Sequence, residues 1–546
     1  MDPMRTHLTG AALIALLAAC EQGAVETDAE APQNEQEEVT AAPDASTLPE
    51  ALKAGEITPA AITQQYLSRI DEIDDSGPFI NAVLRINDEA VSQAEQLAET
   101  YGEAENKPLL YGLPILIKDN IETADMPTTA GSLALLENDT KRDAPAIAKL
   151  REAGAVILGK TNLSEWANFR SSQSVSGYSA VGGLSRNPHD VTRNTCGSSS
   201  GSGAAVAAGL AWGALGTETN GSVICPSASN GIVGFKPTVG LVSRRHVVPI
   251  SASQDTIGPM TTSVRDAAMI LTAMAGTDEG DEATLDADQY ATDFVAALEG
   301  ANLEGVRLGV LRGAQSDDPR EQAVFNEALR RAEEAGAILV DIEDHEVSLN
   351  GGEAYLVLQA EFKDGLNAYL ADAAPAVTTR TLADVIAFNE AEERQLALFG
   401  QDILTGSEET GGTQGQDYQE AVANVQRATR EEGIDRLLAD YEVDFLVAPS
   451  FAPAFAIDLV RGDKIGGSAG AGWIAAIAGY PHLTVPMGDV RGLPVGFSIM
   501  GARWSDAEVL AVGQAMEDIL PERLVPTFRE GPEEDEGIAG LLRPVL

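Results

Sequence analysis

Cysteine is scarce in this sequence: three residues, Cys20, Cys196 and Cys225, in a chain of 546. No C-x-x-C pair occurs, and the five histidines (His7, His189, His246, His345, His482) show neither H-x-x-x-H nor H-E-x-x-H spacing. No metal and no cofactor are therefore expected. Cations are also short, with 36 Lys and Arg against 84 Asp and Glu and a formal net charge of −48. A field of that sign repels nucleic-acid phosphates and anionic lipid heads, so no nucleic-acid partner is expected. Aromatics are sparse at 5%, and the apolar run Ala11–Leu17 is too short to span a bilayer. What remains is a long chain with 44% apolar residues, enough for a large packed core.

Residues 1–20 read as a targeting segment rather than part of the fold. Arg5 supplies a positive start, Ala11–Leu17 an apolar centre, and Leu17-Ala18-Ala19-Cys20 ends it. Met4 is an alternative start. The last four residues resemble the lipobox of bacterial lipoproteins, which implies cleavage before Cys20 and a lipid on that Cys. An ordinary signal peptide with an incidental Cys is the alternative; the small residues just before Cys20 favour lipidation. Residues 21–46 carry Glu21, Glu26, Asp28, Glu30, Glu35, Glu37, Glu38 and Asp44 with no Lys, Arg or aromatic residue. Such a segment buries too little apolar surface to fold and is expected to be a tether. The expected location is the periplasm, with membrane contact through the lipid alone.

From residue 47 to 546 the pattern is that of one α/β domain. Leu48 and Leu52, then Thr58-Pro59 followed by Ile62, Tyr66 and Ile70, read as capped helices, with another near 88–101. Leu113–Ile117 is a buried strand with Lys118 at its tip, and residues 144–159 read as a helix and strand. Further strands are expected at Val306–Leu311, Ala337–Val340, Phe445–Pro449 and Val495–Met500, with a helix near 320–335. The small apolar run Ala204–Gly216 is expected as one buried helix, and 405–416 as a surface loop. The sheet is expected to be large, mixed and mostly parallel. Cys196 and Cys225 are able to pair in an exported chain, but the reading as small buried residues is preferred.

Three polar features carry chemistry. Lys118 at a strand tip is commonly a cation that pairs with its neighbour, here Asp119; desolvated, it becomes a neutral amine and a base. Gly197-Ser198-Ser199-Ser200-Gly201-Ser202 enters the small apolar run as a turn that exposes hydroxyls and N–H groups. Gly216-Thr217-Glu218-Thr219-Asn220-Gly221-Ser222 places a Ser beyond a tight turn whose successive N–H groups can form an oxyanion hole.

Together these segments resemble the amidase signature family. The Gly/Ser motif, the Gly216–Pro226 segment, Gly112-Leu113-Pro114-Ile115-Leu116-Ile117-Lys118-Asp119 and the interval from Ser198 to Ser222 all match its pattern. The likeness continues through Gly234–Thr238, Thr261–Asp266 and Ala478–Pro481, and covers essentially all of 47–546. It implies an amide hydrolase with a Ser–cis-Ser–Lys triad: Ser222 as nucleophile, Ser198 as relay, Lys118 as base. The backbone N–H groups of Thr219, Asn220, Gly221 and Ser222 would meet the oxyanion. Glu218 stands where the family commonly has Asp, Ile224 where it has Arg, and Asn220 where Gly or Asp is usual. Glu218–Pro226, Gly240–Arg244 and Ser253–Thr256 look most like the peptide-amidase branch, which implies C-terminal peptide carboxamides as substrates; an amidase of another substrate class, aryl or aliphatic amide or ester, is the alternative.

Rival readings have recognisable requirements. Gly197-Ser198-Ser199-Ser200-Gly201 also satisfies the G-x-S-x-G elbow of α/β-hydrolases, but the polar, Pro-broken text before it offers no strand. The transamidation component that supplies ammonia to misacylated tRNA shares the signature; the leader and the acidic balance oppose it. A binding lipoprotein with a decayed site would not need Lys118, Ser198 and Ser222 together.

Overall fold

The computed structural model describes residues 42–464, 470–531 and 534. The lipobox-like residues, Cys20 and most of the expected tether lie outside the described residues. The last residues of the tether do not: Trp212 Nε1 donates to the Ala45 carbonyl at 3.2 Å, so the domain already engages the chain there.

An eleven-stranded sheet organises the domain. Its strands in chain order are β1 (Val83–Ile86), β2 (Pro114–Lys118) and β3 (Val156–Thr161), then, after a small hairpin of β4 (Tyr178–Ser179) and β5 (Gly183–Leu184), β6 (Gly213–Glu218), β7 (Val233–Lys236) and β8 (Thr256–Thr261). They continue with β9 (Arg307–Leu311), β10 (Ile338–Ile342), β11 (Phe445–Pro449), β12 (His482–Val490) and β13 (Leu493–Met500). The spatial order is β1-β3-β2-β6-β8-β7-β12-β13-β11-β9-β10.

The sheet is mixed, as expected, but not mostly parallel. Parallel pairing holds for β2 with β3 and β6, and for β9 with β10 and β11. The centre, from β6 through β8, β7, β12 and β13 to β11, is antiparallel throughout. A short connection accounts for one of these pairs. Only Arg491 and Gly492 join β12 to β13, both at positive φ (55° and 72°), the backbone of a tight hairpin turn rather than a helical crossover.

The predicted helices form where their caps stand. Thr58 Oγ1 accepts from Ala61 N at the start of Pro59–Ile70, and Asp318 accepts from Arg320 N at the start of Pro319–Glu334. Strands β2, β3 and β6 are buried along their whole length. Ile115, Leu116 and Ile117 each contribute about 1.5–3 kcal/mol by leaving water. That core places Lys118 beyond the reach of solvent.

Two expected elements differ. Ala204–Gly216 is not one helix: the helix is Ser200–Ala207, Gly209 stops it at φ +69°, and β6 begins at Gly213. A run of small apolar residues has no period to separate helix from buried strand. Residues 405–416, expected as a loop, lie largely in the helix Asp402–Glu408 and a short turn at Gly412–Gln414. There Thr413 donates through N and Oγ1 to Asp364 at 2.7 and 2.6 Å, a partner far off in sequence. Among the described residues no helix is long and apolar enough to cross a membrane.

Candidate active site

Lys118 is fully buried at the end of β2, yet no carboxylate touches it. Its Nζ lies 2.8 Å from Ser198 Oγ, 2.7 Å from Thr217 Oγ1 and 3.2 Å from the Thr217 carbonyl. Asn120 Nδ2 donates to the same Thr217 hydroxyl at 3.0 Å. Asp119, the partner that the alternative reading gives Lys118, is held elsewhere. Lys160 Nζ sits 3.1 Å from Asp119 Oδ1, and Thr129 bonds Oδ2 through N and Oγ1. Burial pushes the Lys118 ammonium down to about 7, against partial opposition from the negative charges of Asp255 and Glu218. A neutral amine is thus accessible near neutral pH.

The two serine turns meet in front of this amine. Gly197–Ser198 is a cis peptide, and Ser198 leads into the helix Ser200–Ala207. The turn is fixed from both sides: Asn194 Oδ1 accepts from Cys196 N, and Ser200 Oγ donates to the Cys196 carbonyl, each at 2.7 Å. Ser199 N donates to the Ser222 carbonyl at 3.1 Å, tying the two turns directly. Glycines allow the approach. A Cβ on Gly201 would fall 2.2 Å from the Ala82 carbonyl, and one on Gly216 would fall 2.7 Å from Ser199 Oγ. Burial falls along the series, Lys118 and Ser198 at 0% exposure and Ser222 at 8%, so Ser222 stands nearest solvent.

Glu218 shapes the turn that carries Ser222. Its Oε2 accepts from Val223 N at 2.8 Å and Ile224 N at 3.0 Å, capping the short helix Ile224–Asn230. Among the described residues, the N–H groups of Thr219, Asn220, Gly221 and Ser222 have no protein acceptor. Gly221 takes φ +81°, a left-handed conformation suited to such a turn, and a Cβ there would meet nothing. Thr219 Oγ1 donates to Asp255 at 2.6 Å, and Asp255 also accepts from Ile250 N and Ser251 N.

Cys196 and Cys225 are bonded, contrary to the preferred reading of them as separate buried thiols. Their Cα atoms are 5.8 Å apart, and the bridge joins the Ser198 turn to the helix after Ser222. Spacing in sequence held no sign of that proximity. Ser199, the centre of the elbow pattern, is buried with its hydroxyl committed to the backbone of Thr217, from 3.1 Å to the carbonyl and 3.2 Å to the N–H. Among the described residues no histidine bonds to Ser198, Ser199 or Ser222; His189 is held by the Asn230 carbonyl and His482 by Ser498. The sequence reading missed Asn120, Lys160, Thr217 and Asp255. Each is an ordinary polar residue until the fold brings it beside Lys118 or its neighbours.

Residues 61–510 match the family model described as Amidase. This chain belongs to the amidase family. The domain is the single α/β unit with a large mixed sheet seen in peptide-amidase structures, and the protein is an amidase, a hydrolase of amide C–N bonds. It is 43% identical to the native peptide amidase of Stenotrophomonas maltophilia, with a TM-score of 0.83 over 91% of this chain and 99% of that one. The peptide amidase bound to the competitive inhibitor chymostatin is 44% identical, with a TM-score of 0.83 over 88% of this chain and 98% of that one. A probable amidase of Arabidopsis thaliana is 37% identical over 86% of this chain and 89% of its own. A glutamyl-tRNA(Gln) amidotransferase chain of Paenarthrobacter aurescens is 33% identical over 91% of this chain and 96% of its own.

Proposed function

We propose that the amidase cleaves carboxamides, C-terminal peptide amides among them, through Ser222, Ser198 and Lys118. The observation that carries this reading is the 2.8 Å contact of Lys118 Nζ with Ser198 Oγ in a site without carboxylate or imidazole partners. Neutral Lys118 accepts the Ser198 proton as Ser198 takes that of Ser222 and Ser222 Oγ attacks the carbonyl carbon. The N–H groups of Thr219, Asn220, Gly221 and Ser222 meet the oxygen that becomes negative. Collapse of the adduct expels the amine, which leaves with the proton returned by Ser198. Water then attacks the acyl-enzyme through the same relay, releasing acid and free Ser222.

Likeness to the peptide amidases over nearly the whole chain supports the substrate class. The polar turn needs no cofactor, and ammonia as leaving group needs no large departing site. The lipobox at Cys20 supports export and a lipid anchor, and a disulfide accords with an oxidising compartment. Ammonia release from N-acetylated peptide amides tests the function. Wild type is expected to turn these over and Ser222→Ala to lose activity by several orders of magnitude, with Ser198→Ala losing somewhat less. Turnover of glutamine with transfer of its ammonia to misacylated tRNA, and none of peptide amides, would favour the amidotransferase reading.

A further inference from the structure

Two cavities reach the loop that carries Ser222. The larger, about 780 Å³, touches Thr217 and Thr219 and contains both acids and bases. The smaller, about 270 Å³, touches Gly197, Asn220 and Gly221, so it opens on the Ser198 turn and on the N–H groups of the Ser222 turn together. Its apolar wall is formed by Ile224, the Cys196–Cys225 bridge, Phe451, Phe455 and Trp473.

Among the described residues of this smaller cavity, charge is of one sign. Among the described residues that line it, Asp463 is the one ionic side chain. Its carboxylate accepts from Ser176 N at 3.0 and 3.1 Å and from Ser176 Oγ at 2.6 Å, which fixes it in the wall. His482 also lines the cavity, but burial pushes its imidazolium down to about 3, so it brings no positive charge at neutral pH. Lys464, next in the chain, is exposed and lies outside the lining, and its positive charge favours the ionised form of Asp463. The larger cavity offers an anion no better partner. Arg142 is paired with Glu122 and Asp372, Arg244 with Asp281, and Arg245 with Asp278.

We infer that the smaller cavity is the acyl-side subsite and that it selects amides whose acyl part is apolar and carries no negative charge. The inference rests on Ser222-dependent amide hydrolysis and names the substrate class of that same site. An anionic side chain entering here leaves water, finds no cation among the described lining residues and meets Asp463 across a poorly screened gap. An apolar side chain is transferred from water onto rings, sulfur and Ile224. A cationic side chain meets attraction from Asp463 but lacks the apolar gain, and falls between.

The test compares ammonia release from N-acetyl-leucine amide, N-acetyl-lysine amide and N-acetyl-glutamate amide. Wild type is expected to rank them leucine, lysine, glutamate in kcat/KM, with leucine above glutamate by at least ~10-fold. Asp463→Asn keeps an acceptor for Ser176 and removes the charge, and is expected to narrow the lysine-to-glutamate ratio about tenfold. Ile224→Arg places a cation in the wall and is expected to raise glutamate amide above lysine amide. Fluorophosphonate labelling of Ser222 in each variant reports whether the machinery is intact. Equal rates for lysine and glutamate amides in wild type, or a ratio that neither labelled variant moves, would overturn the inference. A protein that is unlabelled and inert toward every amide overturns the amidase reading itself.

Discussion

Asp119 follows Lys118 in the chain but bonds to Lys160, whose Nζ lies 3.1 Å from Asp119 Oδ1. A buried carboxylate thus spends its charge on the neighbouring strand, and Lys118 is left among hydroxyls and a carbonyl. Had Asp119 turned to Lys118, the ammonium would be held protonated and useless as a base. Pairing of Asp119 with Lys160 rather than with Lys118 is what the proposed base role of Lys118 requires.

The pH profile should report this directly. Lys118 is lowered from 10.5 to about 7 by burial, and the proposed mechanism uses the neutral amine. Activity should therefore rise as pH increases through about 7 and level off above it. Asp255 and Glu218 both hold that value up by their negative charge. Asp255→Asn and Glu218→Gln should each move the rising limb to lower pH, measured as log kcat/KM against pH. Glu218→Gln retains an oxygen to cap Val223 and Ile224, so its expected signature is a shifted limb rather than a lost site. A limb that stays in place in both variants would contradict the electrostatic account.

Folding stability carries the same ionisation with a definite sign. Between about 7 and 10.5 the unfolded chain holds a proton on Lys118 that the folded one has released. The unfolded state binds more protons there, so this residue makes stability rise with pH across that window. Denaturant titrations of wild type and Lys118→Met at pH 7 and pH 9 should show the wild type gaining on the variant at the higher pH. An unchanged difference would place the Lys118 ionisation outside that range.

Much of this arrangement was legible in the sequence, and the reasons are specific. Lys118 announced itself as a charge ending the apolar run Leu113–Ile117, and the turns of Ser198 and Ser222 as polar Gly/Ser text beside small apolar residues. The strand β6 was hidden because Ala204–Gly216 has no hydrophobic period. The antiparallel centre of the sheet was hidden because pairing partners such as β7 and β12 are far apart in the chain. Thr217, Asn120 and Lys160 could not be singled out, since what marks them is proximity. The Cys196–Cys225 bridge belongs with them.

That bridge closes a loop across a sequence separation of 29 residues and pins the two serine turns together. Cys196→Ser with Cys225→Ser should cost about 3.6 kcal/mol of stability from the loop-closure term. A dithiol reductant should lower the melting temperature of the wild type and leave the double variant unmoved. Equal melting temperatures with and without reductant would show that the bridge adds no stability.

The anchor is tested apart from the chemistry. In cells of a bacterium that processes lipoproteins, the full chain should incorporate labelled fatty acid and fractionate with membranes. Cys20→Ala should abolish the label and release the protein, while the amidase activity of the released domain persists. Membrane association that survives Cys20→Ala would rule out Cys20 as the attachment point.

Site mapping of a fluorophosphonate adduct bears most directly on the central claim. Reaction at pH 8, digestion and mass spectrometry of wild type and Lys118→Ala compare nucleophile and base in one measurement. The adduct is expected on Ser222 in wild type, with labelling slowed on the order of 10³-fold in Lys118→Ala. An adduct on Ser199, or a Lys118→Ala protein labelled at the wild-type rate, would contradict the account.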